Sequence, residues 1–425
     1  MLKTSKLKEL SFLVYGLGLS GQSVIRFLKK KGNKNFKVWD DKKKYLLKNF
    51  KAHNLKTTCE NVDFIVLSPG ISLIKNKLLK KFKKKIITDI DLFYLDNLRS
   101  KSIVVTGTNG KSTTCKLLAH LLKKNKIKFS LGGNIGVPIL NVQYSKNNFM
   151  IIEASSFQLS HSQFICPDFA LFLNFTNDHL DWHGNMSNYL NSKLKIFSLQ
   201  TKYQNAIINK KFKDIFKKKK FLSRLNFPKN KEYKKIKNKI KNDYLNSNIN
   251  DENMSFIYTF AKLLKIKDQS FIRCMKSFKG LPHRFEIFLR RKGVQFINDS
   301  KATSFVSTQS ALTSLKNIFW ILGGLPKKGD KIDLSKYKKN IKKCYLIGNN
   351  INFFKKQIKG KVVYSVTKNL KDSIIQIFKD IKCQKLSETS VLLSPSAASF
   401  DQFMNFEERG EEFKKLCKTY VRKYF

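Results

Sequence analysis

The stretch Thr106-Gly-Thr-Asn-Gly-Lys-Ser-Thr113 constrains the fold of this chain more than any other. The apolar residues 103–105 precede it, and leucines recur after it at helical spacing. A strand, a glycine turn and a helix start in this order indicate a phosphate-binding loop, because the backbone approaches the phosphate closely and the helix N-terminus offers unpaired N–H groups. We therefore predict a nucleoside triphosphate ligand, with positive charge from Lys111 and a hydroxyl for Mg²⁺ from Ser112 or Thr113.

This loop departs from the usual pattern, which has a further glycine where Val105 stands. Gly107 lies closer to the lysine instead. A GKST sequence that follows a strand by chance is the alternative interpretation, and the rest of the chain must distinguish the two.

Length and composition indicate two or three domains with ample core material, since the chain has 425 residues, of which 42% are hydrophobic. The net charge of +54 is typical of nucleic-acid binding proteins. The basic residues, however, are overwhelmingly lysine and occur in every segment, whereas a surface that recognises phosphates or bases favours arginine on one face. We expect a lysine-coated enzyme surface without a specific nucleic-acid partner.

The seven cysteines are odd in number and form no C-x-x-C motif, so neither a disulfide framework nor a zinc site is predicted. This usage fits a reducing, cytoplasmic compartment. The apolar run at residues 11–15 is too short for a signal peptide or a membrane span, and we expect no membrane partner.

A second glycine motif, Gly16-Leu-Gly-Leu-Ser-Gly21, follows that apolar run and precedes a helical pattern. With the acids Asp40 and Asp41 about 20 residues further on, it satisfies the dinucleotide-binding fingerprint. The module ends near Thr88 after only a few strands, and a half-size unit of this kind also holds the diphosphate of other nucleotides. Both NAD and a nucleotide-linked substrate remain open here, and we favour the latter.

Chemistry-bearing side chains follow two further buried strands. Residues 149–152 run apolar into Glu153, and an acid at a strand end beside a phosphate loop suits Mg²⁺. Residues 169–173 lead into a polar cluster in which His179 and His183 are four residues apart. The glutamate of H-E-x-x-H is absent, so we do not expect zinc-dependent hydrolysis.

Lys193 lies in a helix predicted at residues 188–199, with Ser187 as its N-cap. Weak strand patterns follow at residues 206–208 and 220–222. No residue from about 201 to 248 can be assigned a catalytic or binding role from the sequence.

The stretch Gly280-Leu-Pro-His-Arg-Phe-Glu286 breaks the preceding helical pattern and is interpreted as a linker between domains. The strands predicted after it lie at residues 294–297, 318–322, 345–347, 362–366 and 391–393. Helical stretches alternate with them, which predicts a second doubly wound α/β sheet. Polar loops begin at Asn298, Gly323 and Ser394, and their shared position at the carboxyl edge of the sheet predicts a crevice for an anionic substrate.

Together these motifs resemble the Mur ligase family, the ATP-dependent amide-forming enzymes of peptidoglycan precursor synthesis. The loop from Thr106 is similar to the phosphate loop of that family, which accounts for the missing glycine. The motifs most similar to the D-glutamate-adding branch are E-A-S-S-F-Q-L from Glu153, N-F-T-N-D-H-L-D from Asn174, G-L-P-H-R-F-E from Gly280, N-D-S-K-A-T from Asn298 and S-P-S-A-A-S-F-D-Q-F from Ser394. The similarity spans nearly the whole chain.

The resemblance implies an α/β fold of three domains. A Rossmann-like domain at residues 1–89 would bind the uridine nucleotide, a P-loop ATPase-like domain at 90–280 would bind ATP, and a Rossmann-like domain at 281–425 would bind the amino acid. The implied substrates are UDP-N-acetylmuramoyl-L-alanine, D-glutamate and ATP, and the amide would form through an acyl phosphate. The implied enzyme is a cytoplasmic monomer. The resemblance therefore decides against NAD as the ligand of the first glycine motif. A sibling Mur ligase or a folylpolyglutamate-type ligase with another amino acid remains the alternative.

The resemblance also implies roles for individual residues. One Mg²⁺ would be held by Ser112 and Glu153, and a second by His179 and a carbamylated Lys193. The implied catalytic residues are Lys111, Glu153, His179 and Lys193. The implied ATP-binding residues are Gly107, Thr108, Asn109, Gly110, Lys111, Ser112, Thr113, Asn253, Arg284 and Asp299.

The substrates would contact two further sets of residues. Those for the uridine-linked substrate are Leu19, Ser20, Asp41, Lys42, Gly70, Asn134, Ser155 and Gln158. Those for D-glutamate are Thr303, Lys327, Ser399 and Phe406, with Lys328 as the alternative to Lys327. Either Asp178 or His179 would assist deprotonation of the incoming amine.

Overall fold

The computed structural model describes residues 7–42, 50–96, 100–134, 136–246, 248–327, 329–382 and 388–424. The chain forms two compact units. The first unit is Met1–Ile240 with Glu252–Lys276, and the second is Lys241–Asp251 with Ser277–Phe425. Among the described residues, no helix is both long enough and apolar enough to cross a bilayer.

The first unit begins with a four-stranded parallel sheet. Its strands are β1 (Phe12–Tyr15), β2 (Phe36–Trp39), β3 (Phe64–Leu67) and β4 (Ile86–Ile87), in the order β2-β1-β3-β4. Its helices are α1 (Leu19–Lys30), α2 (Leu55–Asn61), α3 (Lys77–Lys81) and α4 (Asp89–Leu95). β1 is buried along its whole length, as is typical of parallel strands covered on both faces.

The glycine motif after β1 forms the tight turn that its sequence predicts. Gly16 has φ +95°, and a Cβ on Gly21 would collide with the carbonyl oxygen of Gly16. Both positions therefore require glycine, the first for its conformation and the second for the close approach of α1. Asp40 closes the turn, because its Oδ2 accepts the N–H of Leu17 at 2.7 Å.

The second sheet of this unit has six parallel strands. They are β5 (Lys101–Thr106), β6 (Phe129–Gly133), β7 (Phe149–Glu153), β8 (Phe169–Phe172), β9 (Asn205–Ile208) and β10 (Arg224–Asn226), in the order β10-β9-β8-β5-β7-β6. Because β5 lies between β7 and β8, the loops that follow these three strands share one edge of the sheet.

Nine α-helices are described between β5 and β11. They are α5 (Lys111–Lys124), α6 (Ser156–His161), α7 (Leu180–His183), α8 (Met186–Leu194), α9 (Lys213–Lys218), α10 (Asn230–Lys237), α11 (Asp243–Asn246), α12 (Asn248–Leu263) and α13 (Asp268–Lys276). α11 and the first residues of α12 belong to the second unit.

Two local predictions in this region are wrong. α8 begins at Met186 and Asn185 is its N-cap, because the Asn185 side chain accepts the N–H of the third helical residue at 2.8 Å. Ser187 therefore lies inside the helix. Residues 220–222 are irregular, and the strand lies just beyond them in β10. Phe221 packs on the core of the unit from this loop, which explains the strand-like apolar pattern.

The second unit contains a six-stranded sheet in which the five strands from β12 onwards are parallel. Its strands are β11 (Glu286–Arg291), β12 (Val294–Asn298), β13 (Ile318–Gly323), β14 (Ile341–Ile347), β15 (Tyr364–Lys368) and β16 (Thr389–Leu393), in the order β11-β12-β16-β13-β14-β15. Its remaining helices are α14 (Phe305–Ser314), α15 (Ile351–Ile358), α16 (Leu370–Lys382) and α17 (Phe406–Tyr424). Buried apolar clusters cover both faces of this sheet.

The edge strand β11 is antiparallel to β12, so this sheet is mixed rather than wholly parallel. A tight turn at Lys292 and Gly293, both with positive φ, joins the two strands. β11 was not predicted from the sequence, because its residues are half-buried or exposed and show no clear apolar alternation. The predicted linker motif therefore runs directly into a strand at Glu286.

Candidate active site

The predicted phosphate loop joins β5 to the N-terminus of α5. Gly110 immediately precedes the helix with φ +82°, and a Cβ at this position would run into the side chain of Asn253. Ser112 and Thr113 are buried in the first helical turn. The loop, the start of the helix and Asn253 are therefore packed together.

Lys111 curls back over this loop. Its Nζ donates hydrogen bonds of 2.9 Å to the carbonyl oxygens of Gly107 and Thr108. The Thr108 hydroxyl lies 3.2 Å from the hydroxyl of Tyr189, and the Thr108 N–H donates to the Asn174 carbonyl at 3.0 Å. The loop is thus held in place by side chains and backbone from α8 and from the segment after β8.

Glu153 ends β7, in register with Val105 of β5. Its Oε1 accepts a hydrogen bond of 3.1 Å from Asn134, whereas its Oε2 is buried and has no hydrogen-bond partner among the described residues. A buried carboxylate oxygen without a partner is costly, and a hard cation is the ligand that satisfies it. The buried carboxylate oxygen of Glu153 therefore fits a Mg²⁺ ligand.

The described residues contain no group of three or more His, Cys, Asp or Glu side chains placed to hold a metal ion. Mg²⁺ in nucleotide sites usually has only one or two carboxylate ligands and completes its coordination with water and phosphates.

Lys193 is buried with 1% of its surface exposed. Its Nζ donates a hydrogen bond of 2.7 Å to the Gly107 carbonyl and lies 4.6 Å from the centre of the Tyr189 ring. Burial, and secondarily the charge of Lys111, hold its pKa well below the usual lysine value, while Asp178 opposes the shift. The structure therefore brings to the phosphate loop a lysine that composition could not distinguish.

His179 precedes α7 with φ 54°, a conformation uncommon outside glycine. Its backbone N–H donates to Asp178 Oδ1 at 2.9 Å, and its Nε2 lies 3.4 Å from Asp178 Oδ2. The ring packs edge-on against Phe157 at 4.8 Å.

His183 has a different environment, because it is buried and its Nε2 lies 2.9 Å from the hydroxyl of Ser156. Burial first, then the neighbouring His179 and Lys193, lower its pKa to about 4. Burial therefore favours the neutral form of His183, which packs within the first unit.

Five of the eight residues predicted for the uridine-linked substrate follow strands β1, β2 and β3 of the first sheet. Asp41 accepts hydrogen bonds of 2.9 Å from the Tyr15 hydroxyl and the Trp39 indole, so it is already engaged within the protein. Leu19 is 77% exposed at the start of α1, beside Ser20. Lys42 follows Asp41, and its backbone N–H donates to Asp40. Gly70 follows β3 in the same sheet.

A second group of predicted substrate residues links the two sheets of the first unit. Ser155 and Gln158 form a capping box at the start of α6. The Gln158 amide also donates to Asp89 of α4 at 3.2 Å. Asp89 is fully buried, and burial raises its pKa to about 6. Asn134 reaches the same sheet edge through its bond to Glu153.

In the second unit, Asp299 follows β12 and is buried. Its carboxylate accepts hydrogen bonds from the Ser394 hydroxyl at 2.7 Å and from the Phe285 N–H at 3.1 Å. Burial raises its pKa to about 7, against the opposing effect of these hydrogen bonds and of the Arg284 charge. Asp299 and Arg284 are therefore electrostatic neighbours.

The three predicted polar loops lie together at the carboxyl edge of this sheet. Leu325 and Ala398 exchange two backbone hydrogen bonds of 2.9 Å, which joins the second loop to the third. The Ser300 hydroxyl donates to the Phe406 carbonyl at 2.8 Å, and Lys301 Nζ lies 4.7 Å from the Phe406 ring centre.

The other predicted D-glutamate residues lie on the same loops. Ser399 is buried, and Thr303 follows the first loop just before α14. Lys327 accepts the Asp330 N–H through its carbonyl oxygen, and Lys328 lies outside the described residues.

Arg409 is a candidate that the sequence analysis missed. It is buried in α17, and its guanidinium donates to Ser300 Oγ at 3.0 Å, Ser300 O at 2.8 Å and Ala397 O at 3.1 Å. One side chain thus spans two of the polar loops. The one feature of the sequence that could have indicated Arg409 is that arginine is rare in this chain, where most basic residues are lysine.

Two family profiles match the chain over the regions just described. "Mur ligase MurD-like, N-terminal domain" matches residues 10–88, and "Mur ligase middle domain" matches residues 105–268. With the relatives below, these matches show that the chain belongs to the Mur ligase family, whose members are ATP-dependent ligases.

The relatives indicate a particular branch of the family. Proteins named UDP-N-acetylmuramoylalanine--D-glutamate ligase from Rickettsia felis and from Wolbachia sp. subsp. Brugia malayi are 36% and 35% identical to this chain. The first match covers 96% of both chains, and the second covers 98% of this chain and 97% of the relative. The chain therefore spans the length of these relatives.

Solved structures show the same fold at low identity. The MurF ligase of Thermotoga maritima in complex with ADP has a TM-score of 0.59 and 16% identity, covering 100% of this chain and 97% of that one. A MurF structure from Acinetobacter baumannii has a TM-score of 0.58 and 12% identity, with coverage of 98% and 93%.

Proposed function

We propose that this protein adds D-glutamate to UDP-N-acetylmuramoyl-L-alanine through an acyl phosphate, with conversion of ATP to ADP and phosphate, in peptidoglycan precursor synthesis. The length-spanning identity to relatives of that name supports this assignment. The geometric observation that carries it is the phosphate loop, beside which lie the buried Lys193 and the unpartnered oxygen of Glu153.

The reaction proceeds in two steps in this proposal. A carboxylate oxygen of the nucleotide-linked alanine attacks the γ-phosphorus of ATP, the bond to the β-bridging oxygen breaks, and ADP leaves with the electron pair. Lys111, with the N–H groups at the start of α5, stabilises the negative charge on the phosphates. The D-glutamate amine then attacks the acyl carbon, loses a proton and expels phosphate.

Mg²⁺ supplies the charge neutralisation that a triphosphate requires. We assign Ser112 and Glu153 to one ion, and His179 with a carbamylated Lys193 to the second. The unpartnered Glu153 oxygen supports the first assignment. The second assignment is supported by the hydrogen bond between Lys193 and the Gly107 carbonyl, which places Lys193 beside the phosphate loop.

Carbamylation of Lys193 fits its surroundings. A neutral amine attacks the carbon of CO₂ and releases one proton, which gives a carbamate that retains one N–H. Burial favours the neutral amine, because the charged form is poorly solvated there. The remaining N–H can keep the bond to the Gly107 carbonyl while the new oxygens act as hard metal ligands.

Further assignments complete the proposal. The domain boundaries are 1–89 for the uridine nucleotide, 90–280 for ATP and 281–425 for D-glutamate. Asn253, Arg284 and Asp299 bind the nucleotide, and the enzyme is a cytoplasmic monomer. Either Asp178 or His179, which are in mutual contact, assists deprotonation of the incoming amine.

Phosphate release tests the assignment directly. The purified protein is given ATP, Mg²⁺ and UDP-N-acetylmuramoyl-L-alanine, with D-glutamate, L-lysine, diaminopimelate or no amino acid. We expect release that depends on D-glutamate. Release that depends on another amino acid would instead support a sibling ligase, and ATP turnover indifferent to all of them would contradict an amide ligase.

A further inference from the structure

A glutamate with no part in the proposed mechanism, Glu252, lies one residue before Asn253 in α12. Its Oε2 accepts a hydrogen bond of 3.0 Å from Asn174, and its Oε1 accepts one of 3.1 Å from Asn209. Asn174 follows β8 and Asn209 follows β9. Glu252 therefore ties the ends of two strands to the helix that packs against the phosphate loop.

Asn174 continues this network to the phosphate loop. Its side-chain Oδ1 accepts the backbone N–H of Asn109 at 2.9 Å. Its backbone carbonyl accepts the N–H of Thr108 at 3.0 Å. Two consecutive peptide groups of the loop are therefore fixed by this one asparagine.

The carboxylate determines which way the Asn174 amide faces. An ionised carboxylate only accepts hydrogen bonds, so Asn174 must turn its NH₂ group to Glu252 and its oxygen to Asn109. The reversed amide would set donor against donor at Asn109 and leave the loop N–H unsatisfied. Electrostatics alone gives no reason for an acid near a triphosphate, since like charges repel.

We propose that Glu252 is a positioning residue, which acts through Asn174 to fix the phosphate loop in the conformation that binds ATP. This inference rests on the proposed function only in taking ATP as the ligand of the loop. Glu252 itself is not assigned a contact with ATP.

This role is tested by exchanging the carboxylate and the amide between positions 252 and 174. Glu252→Gln removes an acceptor, because the new amide oxygen satisfies only one of the two asparagines. Asn174→Asp accepts the Asn109 N–H but repels Glu252. The double variant restores every bond, because the amide introduced at position 252 donates its NH₂ to the new carboxylate while its oxygen accepts from Asn209.

The readout is equilibrium binding of a non-hydrolysable ATP analogue, without the other substrates. We expect each single variant to weaken binding about tenfold, and the double variant to return to within about threefold of the unmodified protein. The KM for D-glutamate should change little in all three. A double variant no tighter than the weaker single variant, or a Glu252→Gln variant that binds normally, would overturn the proposal.

Two controls separate positioning from general stability. Asn209→Ala breaks the other bond of Glu252 and leaves the Asn174 bond intact, so analogue binding should stay within about threefold. Equal weakening by Asn209→Ala would indicate packing and contradict the proposal. Glu232→Gln makes the same charge change in an exposed pair with Lys229 and should have no effect.

Failure of this inference and failure of the proposed function give different results. If the double variant recovers binding of the ATP analogue but the unmodified protein releases no phosphate in response to D-glutamate, the proposed function is refuted. The positioning role of Glu252 is then still supported. The opposite pattern would retain the function and refute the network.

Discussion

The side-chain nitrogen of Lys193 and the carbonyl oxygen of Gly107 lie 2.7 Å apart, although the residues are 86 positions apart in the chain. The bond places a buried amine directly on the first glycine of the phosphate loop. Burial disfavours the charged form of this amine, so the same burial that places Lys193 beside the loop also supports its proposed carbamylation.

Replacing Lys193 with alanine should abolish most activity and permit chemical rescue. The variant lacks the proposed carbamate, so we expect phosphate release to fall by about a hundredfold. Formate or acetate should restore part of it, because a free carboxylate supplies the missing oxygens. Labelled bicarbonate should give a carbamate signal in the carbon NMR spectrum of the unmodified protein.

Lys195 supplies the control for this experiment. It is also partly buried, but its Nζ donates to the carbonyls of Ser160 and Ser162. Lys195→Ala should reduce stability without any response to carboxylates. Full activity of Lys193→Ala, or loss without rescue and without a carbamate signal, would show that the carbamate assignment is wrong.

The phosphate loop was predictable because its determinants are local. A buried strand, glycines at the turn and a lysine at the helix start stand within a few residues of one another, and the structure places the turn and helix there. Lys193, Asn253 and Arg409 acquire their positions through tertiary packing. No local pattern distinguishes them, so only resemblance identified the first two, and the third was missed.

Glu153→Gln should separate metal binding from folding. The change replaces the unpartnered oxygen by an amide that is a poor Mg²⁺ ligand, so the Mg²⁺ concentration for half-maximal activity should rise and turnover should fall by about a hundredfold. The thermal midpoint in EDTA should be nearly unchanged, because no protein hydrogen bond to Oε2 is lost.

The exposed Asp214→Asn makes the same charge change away from the loop and should behave as the unmodified protein. An unaltered Mg²⁺ requirement in Glu153→Gln would remove this residue from the metal site.

His161 should make the first unit acid-sensitive. Burial first, then the charges of Lys195 and Lys83, lower its pKa to about 4, below the roughly 6.5 of an unfolded chain. Between these values the unfolded state binds more protons, so stability falls as the pH falls. We expect His161 to contribute a loss of about 2 kcal/mol between pH 7 and pH 5.

Urea unfolding at the two pH values, at constant ionic strength, measures this effect. His161→Phe should show a smaller loss of stability on acidification than the unmodified protein. The exposed His53→Gln serves as the control and should not change the pH dependence. An equal loss in His161→Phe would show that protonation of His161 does not govern acid stability.

The crevice at the carboxyl edge of the second unit's sheet could be predicted from the sequence only in part. Parallel strand order places the loops after β12, β13 and β16 at one edge, which follows from the predicted α/β pattern. The bonds that hold these loops in register, such as the exchange between Leu325 and Ala398, depend on side-chain and backbone packing that no motif encodes.

Arg409→Lys should therefore act on D-glutamate more than on ATP. Lysine keeps the charge, but its single nitrogen cannot reproduce the planar guanidinium that reaches Ser300 Oγ, Ser300 O and Ala397 O together. The loops that carry the proposed D-glutamate residues would lose their common support. We expect the KM for D-glutamate to rise by about tenfold with a much smaller change in the KM for ATP.

Arg422→Lys, the same substitution at an exposed position of α17, is the matched control and should leave both constants unchanged. A rise in both KM values by the same factor, with a lowered thermal midpoint, would indicate that Arg409 only stabilises the second unit. A selective rise for D-glutamate cannot come from lost stability alone, because unfolding removes active protein without changing the KM of the fraction that stays folded.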